Sequence, residues 1–209
     1  MLIDSFRPQA KEVWQAVSTV LQGGVVLYPS DTIYGLGCDP FQKPALENLL
    51  KLKGRDKGKG LLFLSTDLSF IKTVCSNIPQ VFNEFSDAFW PGPVTFLLKG
   101  RLGLSGFLVG DRGKVAVRWP DQPFLQAWLG ALGGPLISTS ANLSGSPPAK
   151  SLGELRELFL DRVDLFLEDG EPDFKVEPSS VVDLTMNPPQ LVREGARSHE
   201  IKSFLLELE

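Results

Sequence analysis

Short apolar runs that end in polar clusters, alternating with stretches of helical period, constrain this chain more than any other feature. Val25-Val26-Leu27-Tyr28 is one such run and is predicted to be a buried strand. Runs over 61–64, 94–98, 115–119, 135–137, 164–167, 180–184 and 190–193 read the same way. Between them, Ala10, Val13, Trp14, Val17, Val20 and Leu21 recur at helical spacing over 8–21, with Pro8 suited to a first turn and Gly23-Gly24 to the stop. Ala45, Leu46, Leu49, Leu50 and Leu52 form a second helical pattern, and 124–132 and 152–160 two more. With no internal repeat and no biased linker, this interleaving predicts one α/β domain over 1–209. Strand order and direction do not follow from it.

A chain of 209 residues can bury a sizeable core without external staples. Its 21 Lys and Arg against 25 Asp and Glu leave a net charge of −4, which excludes a general nucleic-acid coat protein but not a local basic site. Cys38 and Cys75 have no metal-ligand spacing and read as two buried thiols, with a disulfide as the alternative. The first residues carry charges throughout, and no stretch approaches the roughly 20 apolar residues of a membrane span, so a soluble cytoplasmic protein is expected. His199 is the single histidine and reads as a surface residue. Ser-His-Asp hydrolysis, Cys-His catalysis and His-rich metal sites therefore drop out, and chemistry at phosphorus, run by positioning and positive charge, fits what remains.

Four polar clusters sit on the apolar framework. Ser30-Asp31-Thr32 with Tyr34-Gly35-Leu36-Gly37 follows the first strand, where hydroxyls and a carboxylate either bind a compact polar ligand or close an Asx or ST turn. The second cluster, 51–60, places five cations and one anion among glycines in an otherwise acidic protein. Such a turn can surround a polyphosphate; a solvated basic turn is the alternative. It is neither a Walker A loop nor a GxGxxG fingerprint. Ser138-Thr139-Ser140-Ala141-Asn142 and Ser144 form the third, at a strand-to-loop exit that either binds a ligand or caps a following helix. It lacks the Gly-x-Ser-x-Gly of a nucleophile elbow. Ser179, Ser180 and Asp183, with Arg193 and Gly195, make the fourth.

In this order the clusters resemble the YrdC-like family of threonylcarbamoyl-AMP synthases, from about 23 to about 195. The anchors are the segment from Pro29 to the pair Gly35 and Gly37, Lys53-x-Arg55, Trp90-Pro91-Gly92-Pro93-x-Thr95, Val115-x-Val117-Arg118, Ser140-Ala141-Asn142-x-Ser144-Gly145 and Arg193-x-Gly195. The resemblance implies a twisted mixed sheet with flanking helices around a concave polar cavity. It implies a nucleotidyltransferase that joins L-threonine, bicarbonate and ATP, with Mg²⁺ carried by the nucleotide and no metal held by the protein. The product would serve adenosine 37 of tRNA through separate threonylcarbamoyl-transfer proteins, with a weak tRNA contact of its own.

Carried over residue by residue, threonine recognition falls on Thr32, Arg118, Ser140 and Ser179. Nucleotide and phosphates fall on Lys53, Arg55, Lys59, Asn142 and Arg193, with Lys53 and Arg55 catalytic. Three departures stand out: Arg55 precedes Asp56 where many relatives have proline, Gly60 and Leu64 replace a proline and a histidine of longer relatives, and the chain stops at Glu209 without their extra domain. These resemble the short bacterial branch. A carbamoyl-adenylating sibling, a non-catalytic RNA-binding relative and a diverged paralogue are the rival readings.

Overall fold

The computed structural model describes residues 1–54, 61–104, 106, 108–170 and 172–208. After β1 (Leu2–Ile3), α1 (Ala10–Leu21) buries Val13, Ala16, Val17 and Val20 on one stripe, as helical spacing requires. Glu12 accepts a hydrogen bond from the Gln9 backbone N–H, so the helix starts after Pro8 rather than on it. There follow β2 (Val26–Tyr28), β3 (Gly35–Cys38), α2 (Lys43–Lys53), β4 (Leu62–Leu64), α3 (Leu68–Val74), β5 (Cys75–Asn77) and α4 (Val81–Phe89). The second half comprises β6 (Val94–Gly100), β7 (Lys114–Arg118), α5 (Pro123–Leu132), β8 (Leu136–Ser140), α6 (Leu152–Phe159), β9 (Leu165–Phe166), β10 (Glu168–Asp169), β11 (Ser180–Asp183), β12 (Gln190–Arg193) and α7 (Ser198–Glu207).

Among the described residues, one mixed sheet runs β12-β11-β6-β7-β4-β8-β3-β2-β9, with β5 beside β6 off that path and β1 paired with β10 apart from it. β11 and β6, β4 and β7, and β2 and β9 pair in parallel; the remaining neighbours on the path are antiparallel. Every strand expected from an apolar run is present, most within a residue or two of its expected bounds. β3 was not expected. It is half glycine, and the reason is steric: a Cβ on Gly35 would lie 2.7 Å from the Tyr28 ring, and one on Gly37 2.9 Å from it. The two glycines let that buried ring lie across the strand.

Side chains alternate between the two faces of the sheet. Phe63, Ile137, Val115, Val117, Val94, Phe96 and Leu98 point into one core with buried residues of α2, α3, α4, α6 and α7. On the other face Val26, Tyr28, Leu64 and Leu136 pack under α1 and α5. Those two helices cover only part of that face. The uncovered remainder is where the polar residues of the central strands emerge.

Candidate active site

A cavity of about 550 Å³ occupies the uncovered face, within the range of small-molecule sites. Its floor follows from strand alternation: Thr95 and Leu97 of β6, Ala116 and Arg118 of β7, Leu62 and Leu64 of β4, and Ser138 and Ser140 of β8 all line it. Cross-strand register puts Leu62 opposite Ala116 and Ser138, and Leu64 opposite Arg118. Around this floor stand Thr32, Tyr34, Lys53, Asn142, Ser179 and Arg193. Seven residues expected from sequence therefore share one cavity: Thr32, Lys53, Arg118, Ser140, Asn142, Ser179 and Arg193. Arg55 and Lys59 lie outside the described residues.

The basic cluster is not all turn. Lys51 and Lys53 belong to the last turn of α2, where cations complement the helix dipole, and Gly54 stops the helix at a φ of 61°. Lys53 is buried, and its ammonium donates to Ser140 O at 2.6 Å, Asn142 O at 2.6 Å and Asn142 Oδ1 at 2.8 Å. The Ser144 N–H donates back to Lys53 O at 2.9 Å, and Ala141 N–H to Tyr34 O at 2.8 Å. Three of the polar clusters thus close on one another. The third is also more regular than expected, since Ser138, Thr139 and Ser140 complete β8 instead of leaving it.

Arg118 is buried. Its Nε donates to Gly92 O at 3.1 Å, one terminal nitrogen donates to Thr32 Oγ1 at 3.0 Å, and the other is ion-paired with Asp31. Arg193 lays Nε and NH2 on Ser179 O at 3.1 and 2.7 Å, and NH2 also donates to Ser179 Oγ at 2.9 Å. Desolvation, with Arg118 nearby adding like charge, pulls the Arg193 pKa below its ordinary value. Ser179 Oγ also bonds Thr95 Oγ1 at 2.9 Å. Burial pushes the Tyr34 phenol up to about 12 and raises Tyr28 further still; Tyr28 OH bonds Ser138 Oγ at 2.5 Å. Both phenols thus stay neutral.

Sequence reasoning missed Asp31 as the partner of Arg118, and Thr95 and Tyr34 as part of the wall. All three stood inside quoted motifs, but only their neighbours in space give them a role. His199 lies exposed on α7, and Cys38 and Cys75 are free and buried, as expected. Among the described residues no group of three or more His, Cys, Asp or Glu side chains is placed to hold a metal, and no helix is long and apolar enough to cross a membrane.

A mixed α/β domain with a cavity lined by hydroxyls, guanidiniums and an ammonium defines a class of protein whose site is suited by charge to small anionic groups. The particular family is plain from the chain's relatives. Residues 18–195 match the Sua5/YciO/YrdC family model, described as telomere recombination, and the chain belongs to that family. It is similar to proteins called threonylcarbamoyl-AMP synthase: that of Marinobacter nauticus is 33% identical over 184 residues, 88% of this chain and 96% of the relative. That of Pseudomonas aeruginosa is 37% identical over 183 residues, 88% and 95% of the two chains. The E. coli YciO crystal structure superposes with a TM-score of 0.83 at 33% identity, covering 94% of this chain and 95% of that one. P. abyssi Sua5 complexed with L-threonine gives 0.88 at 26% identity over 98% of this chain, which spans 60% of the Sua5 chain.

Proposed function

We propose that the protein is a threonylcarbamoyl-AMP synthase whose single domain spans 1–209. Threonine's amine takes up bicarbonate with loss of water to give an N-carboxylate. A carboxylate oxygen then attacks the α-phosphorus of ATP, the bond to the bridging oxygen breaks, and pyrophosphate leaves. The observation that carries this reading is that Thr32, Arg118, Ser140 and Ser179, which would hold threonine, line one cavity with Lys53, Asn142 and Arg193, which would hold the nucleotide and its phosphates.

Arg118 would hold the threonine carboxylate, because a planar fork matches a carboxylate better than an ammonium does. Lys53 and Arg193 would supply positive charge where it builds on phosphate oxygens, with Arg55 and Lys59 completing the set. Lys53 has a further part: its bonds to Ser140 and Asn142 hold the amino acid wall and the phosphate wall in one piece. Mg²⁺ would arrive as part of the nucleotide. The product would pass to threonylcarbamoyl-transfer proteins acting on tRNA in the cytoplasm, with weak tRNA contact by this chain.

The test is mass spectrometry of the mixture formed from threonine, bicarbonate, ATP and Mg²⁺. A threonylcarbamoyl adenylate that forms only when all are present is the expected result. ATP consumption that depends on carbamoyl phosphate instead would replace this reading with the carbamoyl-adenylating one.

A further inference from the structure

Arg118 carries five N–H groups, and three are committed: one to Gly92 O, one to Thr32 Oγ1 and one to Asp31. Two remain, one on each terminal nitrogen, with no partner among the described residues, and Arg118 lines the cavity. The direction of those two is therefore set by the three already bound. Of these partners Asp31 alone is charged, and its side chain is 10% exposed against 5% for Arg118, so the pair is largely shielded from water. Asp31 is itself held from a second side, since its other carboxylate oxygen accepts from the Asp121 N–H at 2.9 Å. The carboxylate thus ties the loop after β2 to the loop after β7, with the guanidinium between them. Neither oxygen can be replaced by an amide NH₂ without setting donor against donor.

We propose that Asp31 is a positioning residue for substrate recognition: it aims the two remaining Arg118 N–H groups at the carboxylate of the amino acid. This rests on the reading of Arg118 as the carboxylate-binding residue. It separates Asp31 from Thr32 and Ser140, which line the cavity themselves. Asp31 acts through Arg118 and selects for ligands that carry a carboxylate.

The experiment is calorimetric titration of the intact protein with L-threonine and with L-threoninol, which has a CH₂OH in place of the carboxylate. The native protein should prefer threonine. Asp31→Asn should weaken threonine by roughly 10- to 100-fold, the value of a charge-assisted hydrogen bond, and move threoninol by less than about threefold. Asp31→Glu keeps the charge on a longer arm and should fall between the two for threonine while matching the native protein for threoninol. Equal losses for both ligands, or unchanged threonine affinity, in either variant would overturn the proposal, so the glutamate variant decides alone if the asparagine variant does not fold. Product analysis is scored separately. A native protein that shows this selectivity but makes no threonylcarbamoyl adenylate loses the proposed reaction and keeps the Asp31 role; one indifferent to the carboxylate loses the role.

Discussion

Lys53 shows how much chemistry one buried side chain can concentrate. An ammonium in the interior is costly unless hydrogen-bonded, and that of Lys53 donates to oxygens of Ser140 and Asn142. Replacing it with alanine removes a cation from the proposed phosphate site and the bonds that hold the loop after β8. Lys53→Ala is expected to lower the rate of threonine-dependent pyrophosphate release by roughly 10²–10³-fold. Retention of near-native turnover would remove Lys53 from the machinery. The two cysteines make the opposite case. Burial pushes both thiols up to about 12, so the reactive thiolate is scarce near neutrality. Ellman's reagent should find no fast-reacting thiol in the folded protein at pH 8 and both once the chain is unfolded in guanidinium.

Three of the elements that escape the sequence pattern, β3, α4 and α7, do so for identifiable reasons. β3 lacks apolar alternation because Tyr28 needs glycine beneath its ring. α4 carries Phe82, Phe85 and Phe89 at helical spacing, but its nine residues make a short stripe beside the stronger strand pattern at 94–98. α7 buries Ile201 and packs Phe204 edge-on to Phe85 and Phe89, a face too narrow to read in one dimension. By contrast α1, α2 and α5 have wide apolar stripes and were found almost to the residue. The β2–β3 pairing gives a direct check. Gly35→Ala forces a methyl into the Tyr28 ring and is expected to cost about 1–3 kcal/mol in urea denaturation. Gly106→Ala, with no atom of the described residues within 4 Å of the added carbon, should leave the midpoint within error and serve as the control.

Across the molecule, the Lys114–Asp183 ion pair spans β6 to join β7 to β11. Burial on its own would raise the Asp183 carboxyl, but hydrogen bonds from Lys114 and Thr185 outweigh it and hold the group below the usual carboxylate range. A carboxyl depressed by folding contributes stability that is complete above its unfolded pKa of about 4 and is lost as pH falls through the folded value. Urea midpoints should therefore fall as pH drops below about 4, and Asp183→Asn should flatten that decline while lowering stability at pH 7. Ligands act on the whole domain in the other direction. Threonine with a non-hydrolysable ATP analogue, each binding only the folded cavity, should raise the melting temperature, by the equivalent of about 2.7 kcal/mol for a ligand at one hundred times its dissociation constant. No shift with either ligand would contradict the proposed site.

Alternation of short strands with helices, the burial stripe of each long helix, and the polar clusters at strand ends were all readable along the chain, because each is a property of neighbours a few positions apart. So was the family, through motifs of the same local kind. Strand order, the uncovered sheet face and the side-chain pairs that make the cavity were not. Lys53 and Ser140 stand 87 residues apart, as do Asp31 and Arg118. Such meetings depend on which apolar faces pack together, and packing over that separation leaves no period in the sequence to read.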